Sequence, residues 1–159
     1  QFKLLRCMHK RSVGITPAMH AGLGLALYSQ VTSPLRRYSD LIAHQQLRAF
    51  LDGQKLIDKD TMLERISQGD AASIAARKAS RLSETHWKLI YLLQNPEWQG
   101  TAVCIDIKDS STALLMIPSL AMQATIKGIA NVSLNQEFTV RARNIDITTQ
   151  EVEFYTVQS

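Results

Sequence analysis

The chain has 159 residues, 45% of them hydrophobic and 20% charged, which is the composition of a packed core and excludes a disordered tail. A formal charge of +4 and a pI near 9.2 permit a polyanionic partner without naming one. The two cysteines, Cys7 and Cys104, fit neither a zinc spacing nor a disulfide framework, and no apolar run reaches the roughly 18 residues of a membrane helix. With no signal-peptide pattern either, the expectation is a soluble cytoplasmic protein, or an organellar one in a eukaryote, that meets no membrane. Because it opens on Gln1 rather than methionine, a piece of a longer chain is expected.

Residues 2–8 mix apolar and basic side chains and predict a strand or connector, followed by a basic cluster at His9, Lys10 and Arg11. Over residues 22–29, Leu23, Leu25 and Leu27 alternate with Gly22, Gly24, Ala26 and Tyr28, which predicts a strand. Tyr28 would then stand over a flat glycine surface, either as a stacking support for a base, worth about 1 to 3 kcal/mol, or as a buried tyrosine with a bonded hydroxyl. His20 is assigned a structural role.

The stretch Thr32-Ser33-Pro34-Leu35-Arg36-Arg37-Tyr38-Ser39-Asp40 predicts a helix beginning at Pro34 with Ser33 as its N-cap. Arg36 and Arg37 would then oppose the helix dipole, at a cost of about 0.3 to 1 kcal/mol each, so something anionic must compensate them. Asp40 can do so through helical ion pairs, or a phosphate can, meeting free N–H groups and guanidinium forks together. Both can hold, with Asp40 orienting one fork and a phosphate meeting the other. The helix is predicted to run to Leu51, burying Leu35, Tyr38, Ile42 and Ala49 and exposing Arg37, Asp40, His44 and Arg48, with His44 structural.

A short helix is predicted from Asp58 to about Ser67, a stop at Gly69-Asp70, and a long helix over residues 71–93 ended by Asn95-Pro96. Arg77, Lys78, Arg81 and Lys88 give the long helix a basic bias, ordinarily a solvated face. After Trp98 the pattern turns to strands at 101–107, 112–117, 124–126, 138–144 and 151–157, which suits a small antiparallel OB-fold or SH3-like barrel. Lys108, Lys127, Arg141 and Arg143 are its candidate phosphate contacts, giving sequence-blind, salt-sensitive binding.

His20-Ala21-Gly22-Leu23-Gly24-Leu25, Tyr28 and the run Thr32 to His44 together closely resemble the last signature block of the RNase II / RNase R (RNB) exoribonucleases. The resemblance implies an α+β chain: residues 1–98 as the mainly helical C-terminal part of an RNB catalytic domain, and 99–159 as an S1-like OB-fold barrel. It implies Mg²⁺-dependent 3′ to 5′ hydrolysis of single-stranded RNA to nucleoside monophosphates, with Arg36 on the phosphate near the cleavage point and Arg37 in support. It further implies Tyr28 beside the RNA, a long helix carrying Trp87 with Glu84 as its candidate functional acid, the upstream part of the same protein as partner, and a barrel that either contacts RNA through Lys127, Arg141 and Arg143 or packs against the catalytic domain and only frames the RNA entrance. No acidic cluster here has the spacing to hold the metal, since Asp40, Asp52, Asp58, Asp60 and Asp70 are scattered over caps and turns. The isolated chain is therefore expected to be inactive. The competing expectation is a noncatalytic RNA-binding or scaffold protein derived from the RNB fold.

Overall fold

The computed structural model describes Cys7, residues 13–129 and residues 131–157. The expectations for residues 2–6 and 8 and for the cluster His9, Lys10 and Arg11 lie outside the described residues. From residue 13 the chain divides into two compact units, 13–78 and 79–157.

The first unit holds a 3-10 turn at Ala21–Leu23, helix α1 at Tyr38–Leu51 and the start of helix α2, Lys59–Gln94. No strand forms over residues 22–29; only His20 and Leu25 make a single bridge. Gly24 sits at φ 64°, a left-handed conformation that ends the extended run, and the His20 Nδ1 accepts the Leu23 N–H at 3.2 Å. Alternation makes a strand only where one face is buried, and Leu23, Leu25 and Leu27 are all exposed.

Helix α1 begins at Tyr38 rather than Pro34, a second correction. The Ser33 carbonyl accepts the N–H groups of Arg36 and Arg37 at 3.2 and 3.0 Å, closing a separate turn, and Arg37 is extended at φ −127° as the N-cap. The charged residue in the first helical turn is Asp40, whose negative charge the dipole favours. At the other end Gly53, at φ 63°, lets the chain reverse, and the Gln46 side chain holds both the N–H and the carbonyl of Ile57 at 3.0 and 3.1 Å.

Asp58 caps α2: its carboxylate accepts the Thr61 N–H at 2.9 Å and the Thr61 hydroxyl at 2.8 Å, bonds that hold its pKa below the usual carboxylate range. From Lys59 the helix runs without interruption for 36 residues, about 54 Å at 1.5 Å per residue. The stop predicted at Gly69-Asp70 is absent. Gly69 is there for packing, because a Cβ would lie 2.7 Å from Cδ1 of the Tyr38 ring.

The second unit takes in the end of α2 and five antiparallel strands: β1 Gln99–Asp109, β2 Thr112–Ile117, β3 Met122–Lys127, β4 Glu137–Asp146 and β5 Glu151–Val157. Their order is β3-β2-β1-β4-β5, and β3 lies beside β5, so the sheet is a nearly closed barrel of the OB type. β1 serves both neighbours: residues 99–103 pair with β4 and 103–109 with β2, with register shifts at Cys104/Asp106 and Ile107/Asp109 that bend it. Alternation succeeds here because Ala113, Leu115 and Ile117 of β2 all point into a core. That core joins them to Ala102, Cys104, Ile126, Val140 and Phe154, and Leu92 from the last turn of α2 closes it. Trp98 sets its edge against Phe154, and Gly100 leaves room for the indole, since a Cβ there would be 2.6 Å from it.

Candidate nucleic-acid interface

Three consecutive residues ahead of the arginines are held from α1 or its cap. The Val31 carbonyl lies 2.8 Å from the His44 Nε2, the Thr32 hydroxyl accepts Arg37 Nη2 at 3.0 Å, and the Ser33 N–H donates to Asp40 Oδ2 at 2.9 Å. Asp40 is wholly buried and, among the described residues, alone combines charge with burial. Its Oδ2 also accepts Arg37 Nε at 3.0 Å and Nη2 at 2.8 Å. A buried carboxylate is tolerated only when paired and hydrogen-bonded in this way.

The two arginines therefore differ. Arg37 is 20% exposed and committed to Asp40 and Thr32. Arg36 is exposed and makes no hydrogen bond or ion pair with any described residue. Of the readings open for the pair, a convergence of both forks with free N–H groups does not form, because the backbone N–H groups of both arginines are spent on the Ser33 carbonyl, while Asp40 does orient one fork, that of Arg37. His44 is structural as expected. Asp40 and His44, assigned to an exposed face, instead anchor the loop, and Leu35, assigned to the core, is fully exposed.

Tyr28 is 41% exposed and meets the His20 ring edge-on with centroids 4.8 Å apart. Neither the flat glycine surface nor a buried tyrosine is formed. Among the described residues, no hydrogen bond or ring contact joins Tyr28 to Arg36 or Arg37.

On the barrel, Lys127 is exposed at the end of β3, and Lys108 donates to the Thr125 hydroxyl at 3.0 Å. Arg141 pairs with Glu97, while Arg143 pairs with Glu153 at 3.1 Å and lies over the Tyr155 ring at 5.4 Å. Exposed pairs of this kind are worth about 0 to 1 kcal/mol, so an incoming phosphate can replace the carboxylate at little cost.

The sequence reading missed the cleft of about 580 Å³ lined by Glu84, Trp87, Lys88 and Tyr91 of α2 together with Trp98 and Leu120. Its signal was the spacing of Trp87 and Tyr91, four apart and thus on one helix face, with Lys88 tied to the Ala121 carbonyl at 3.1 Å.

Among the described residues no group of three or more His, Cys, Asp or Glu is placed to hold a metal ion, so these residues by themselves do not fit Mg²⁺. No helix among them is long and apolar enough to cross a membrane.

Fold and site define a class: an α+β chain in which a braced loop offering one arginine is followed by a long helix and an OB-type barrel. Comparison with known proteins names the family. Residues 1–53 match the RNB domain model. The chain is 34% identical to an uncharacterised ribonuclease of Synechocystis sp. over 94% of its own length and 23% of that protein. It is 31% identical to the chloroplastic/mitochondrial ribonuclease II of Arabidopsis thaliana, over 79% of this chain and 16% of that one. The crystal structure of an active-site mutant of the Dss1 exoribonuclease from Candida glabrata has the same fold, with a TM-score of 0.71 and 23% identity over 89% of this chain and 19% of that one. The chain belongs to the RNB family, and it spans less than a quarter of the length of these relatives.

Proposed function

We propose that this chain is the RNA-backbone-holding portion of a 3′ to 5′ exoribonuclease acting on single-stranded RNA, with the hydrolytic metal chemistry supplied by residues of the protein outside this chain. The observation that carries the reading is the contrast within the arginine pair: Arg37 is bound internally, and Arg36 extends, unpartnered by any described residue, from a loop held at both ends. An unpaired guanidinium on a fixed backbone is suited to a phosphate, and it can oppose the charge that develops on a phosphoryl group under attack. Arg37 acts in support, from behind. Tyr28 is a lesser contact beside the RNA, and Lys127, Arg141 and Arg143 give the barrel a weak, sequence-blind hold on the backbone. Mg²⁺ is expected in the intact enzyme, bound by carboxylates contributed from elsewhere, and the working compartment is the cytoplasm or an organelle.

The test is Arg36→Ala in the intact enzyme, with single-turnover cleavage and RNA affinity measured separately. Loss of a preorganised charge-stabilising donor predicts cleavage slower by about 100-fold or more, with a smaller change in affinity. Cleavage at the unaltered rate removes Arg36 from the site, and loss of affinity alone reduces it to a binding contact, the outcome that a noncatalytic RNA-binding protein would also give.

A further inference from the structure

We propose that Asp40 is the positioning residue of this site: its buried carboxylate divides the arginine pair, fixing Arg37 into the framework so that Arg36 is presented to the RNA phosphate in one orientation. This deepens the function proposed above and rests on it.

The geometry is that of a brace with two feet. Asp40 Oδ2 holds the Ser33 N–H at 2.9 Å on one side of the turn, and Arg37 Nε and Nη2 at 3.0 and 2.8 Å on the other. Arg37 Nη2 returns to the Thr32 hydroxyl at 3.0 Å, and the Ser33 carbonyl takes both the Arg36 and Arg37 N–H groups. Residues 34–36 are thus a short turn clamped at Ser33 and Arg37 by one carboxylate, and Arg36 is its last residue. The Arg36 side chain makes no hydrogen bond or ion pair with any described residue.

Charge makes the same division. The Asp40 carboxylate neutralises Arg37 at contact distance, so the positive charge that the turn offers to an anion is that of Arg36. Asp40→Asn keeps the shape but frees the Arg37 charge and weakens its grip, so a bound phosphate would be shared between two guanidinium groups in several poses. Binding would survive while productive alignment is lost, which is the signature of a positioning residue and not of a general loss of fold.

The experiment is a double-mutant cycle in the intact enzyme on a single-stranded RNA substrate: wild type, Asp40→Asn, Arg36→Ala and the pair, with kcat and KM measured separately and folding followed by thermal melting. The expected result for Asp40→Asn is a kcat lowered tenfold or more with KM within about twofold of wild type, and little further loss when it is added to Arg36→Ala, because Asp40 acts through Arg36. Wild-type kcat in Asp40→Asn, or its full loss repeated on the Arg36→Ala background, overturns the inference while leaving Arg36 in its role. Wild-type kinetics in Arg36→Ala instead sinks the phosphate-holding reading itself. If Asp40→Asn does not melt cooperatively, Arg37→Lys carries the same test, since it keeps the charge but cannot offer Asp40 both Nε and Nη2; the same non-additive kcat loss is expected, and a wild-type kcat overturns the proposal.

Discussion

Arg36 and Arg37 are neighbours of identical chemistry in opposite surroundings. Arg37 pairs with a carboxylate that is wholly buried, so Arg37→Ala breaks a buried ion pair and should destabilise the protein by about 3 kcal/mol. Arg36→Ala touches no described partner and should change stability by less than about 0.5 kcal/mol. Thermal melting of the two variants side by side checks the contrast, and equal melting temperatures would contradict it. The sequence contains the Arg-x-x-Asp spacing, and the pairing was legible from it. What it did not reveal was which arginine would be taken, because the choice depends on where the helix starts. A serine before a proline reads as a side-chain cap, whereas here the Ser33 backbone carbonyl closes the turn and the cap falls on Arg37. The strand around Tyr28 was misread for a related reason: a two-residue period says nothing of whether a second layer exists to bury one face.

At the scale of elements, Gly69 shows why helix α2 does not end where its sequence invites it to. Glycine inside a helix costs about 1 kcal/mol relative to alanine, and Gly69-Asp70 looks like a stop followed by a cap. The Tyr38 ring occupies the space a side chain would take, with the missing Cβ 2.7 Å from Cδ1. Gly69→Ala should therefore lower the melting temperature despite the better helix former, while in a Tyr38→Ala background the same substitution should raise it. A gain in both backgrounds would mean the ring yields and the contact is incidental. Such a long-range fit leaves no trace in local pattern. The five strands, by contrast, were legible because short apolar runs between turn residues share one interior, most plainly in β2 with its strict alternation, and the helix that ends at Gln94 was marked by Asn95-Pro96.

For the molecule as a whole, the change of pattern at Trp98 marks where helix gives way to sheet, while the compact units divide earlier, between Lys78 and Ala79. The difference arises because Leu92, still helical, belongs to the barrel core. α1 exposes Leu47, Phe50 and Leu51, surface that fits a protein continuing beyond these residues, and no metal-holding acidic cluster occurs among the described residues. The isolated chain, given Mg²⁺ and labelled single-stranded RNA, should release no nucleotides above a buffer control; measurable release would require a metal site inside it. The barrel's arginines meanwhile come with their own tenants. Glu97 and Glu153 already occupy Arg141 and Arg143 from exposed positions. If the chain holds RNA as proposed above, a strand over that surface would trade places with them and be evicted in turn, a grip of exchange and not capture that would let the strand slip forward one nucleotide at a time.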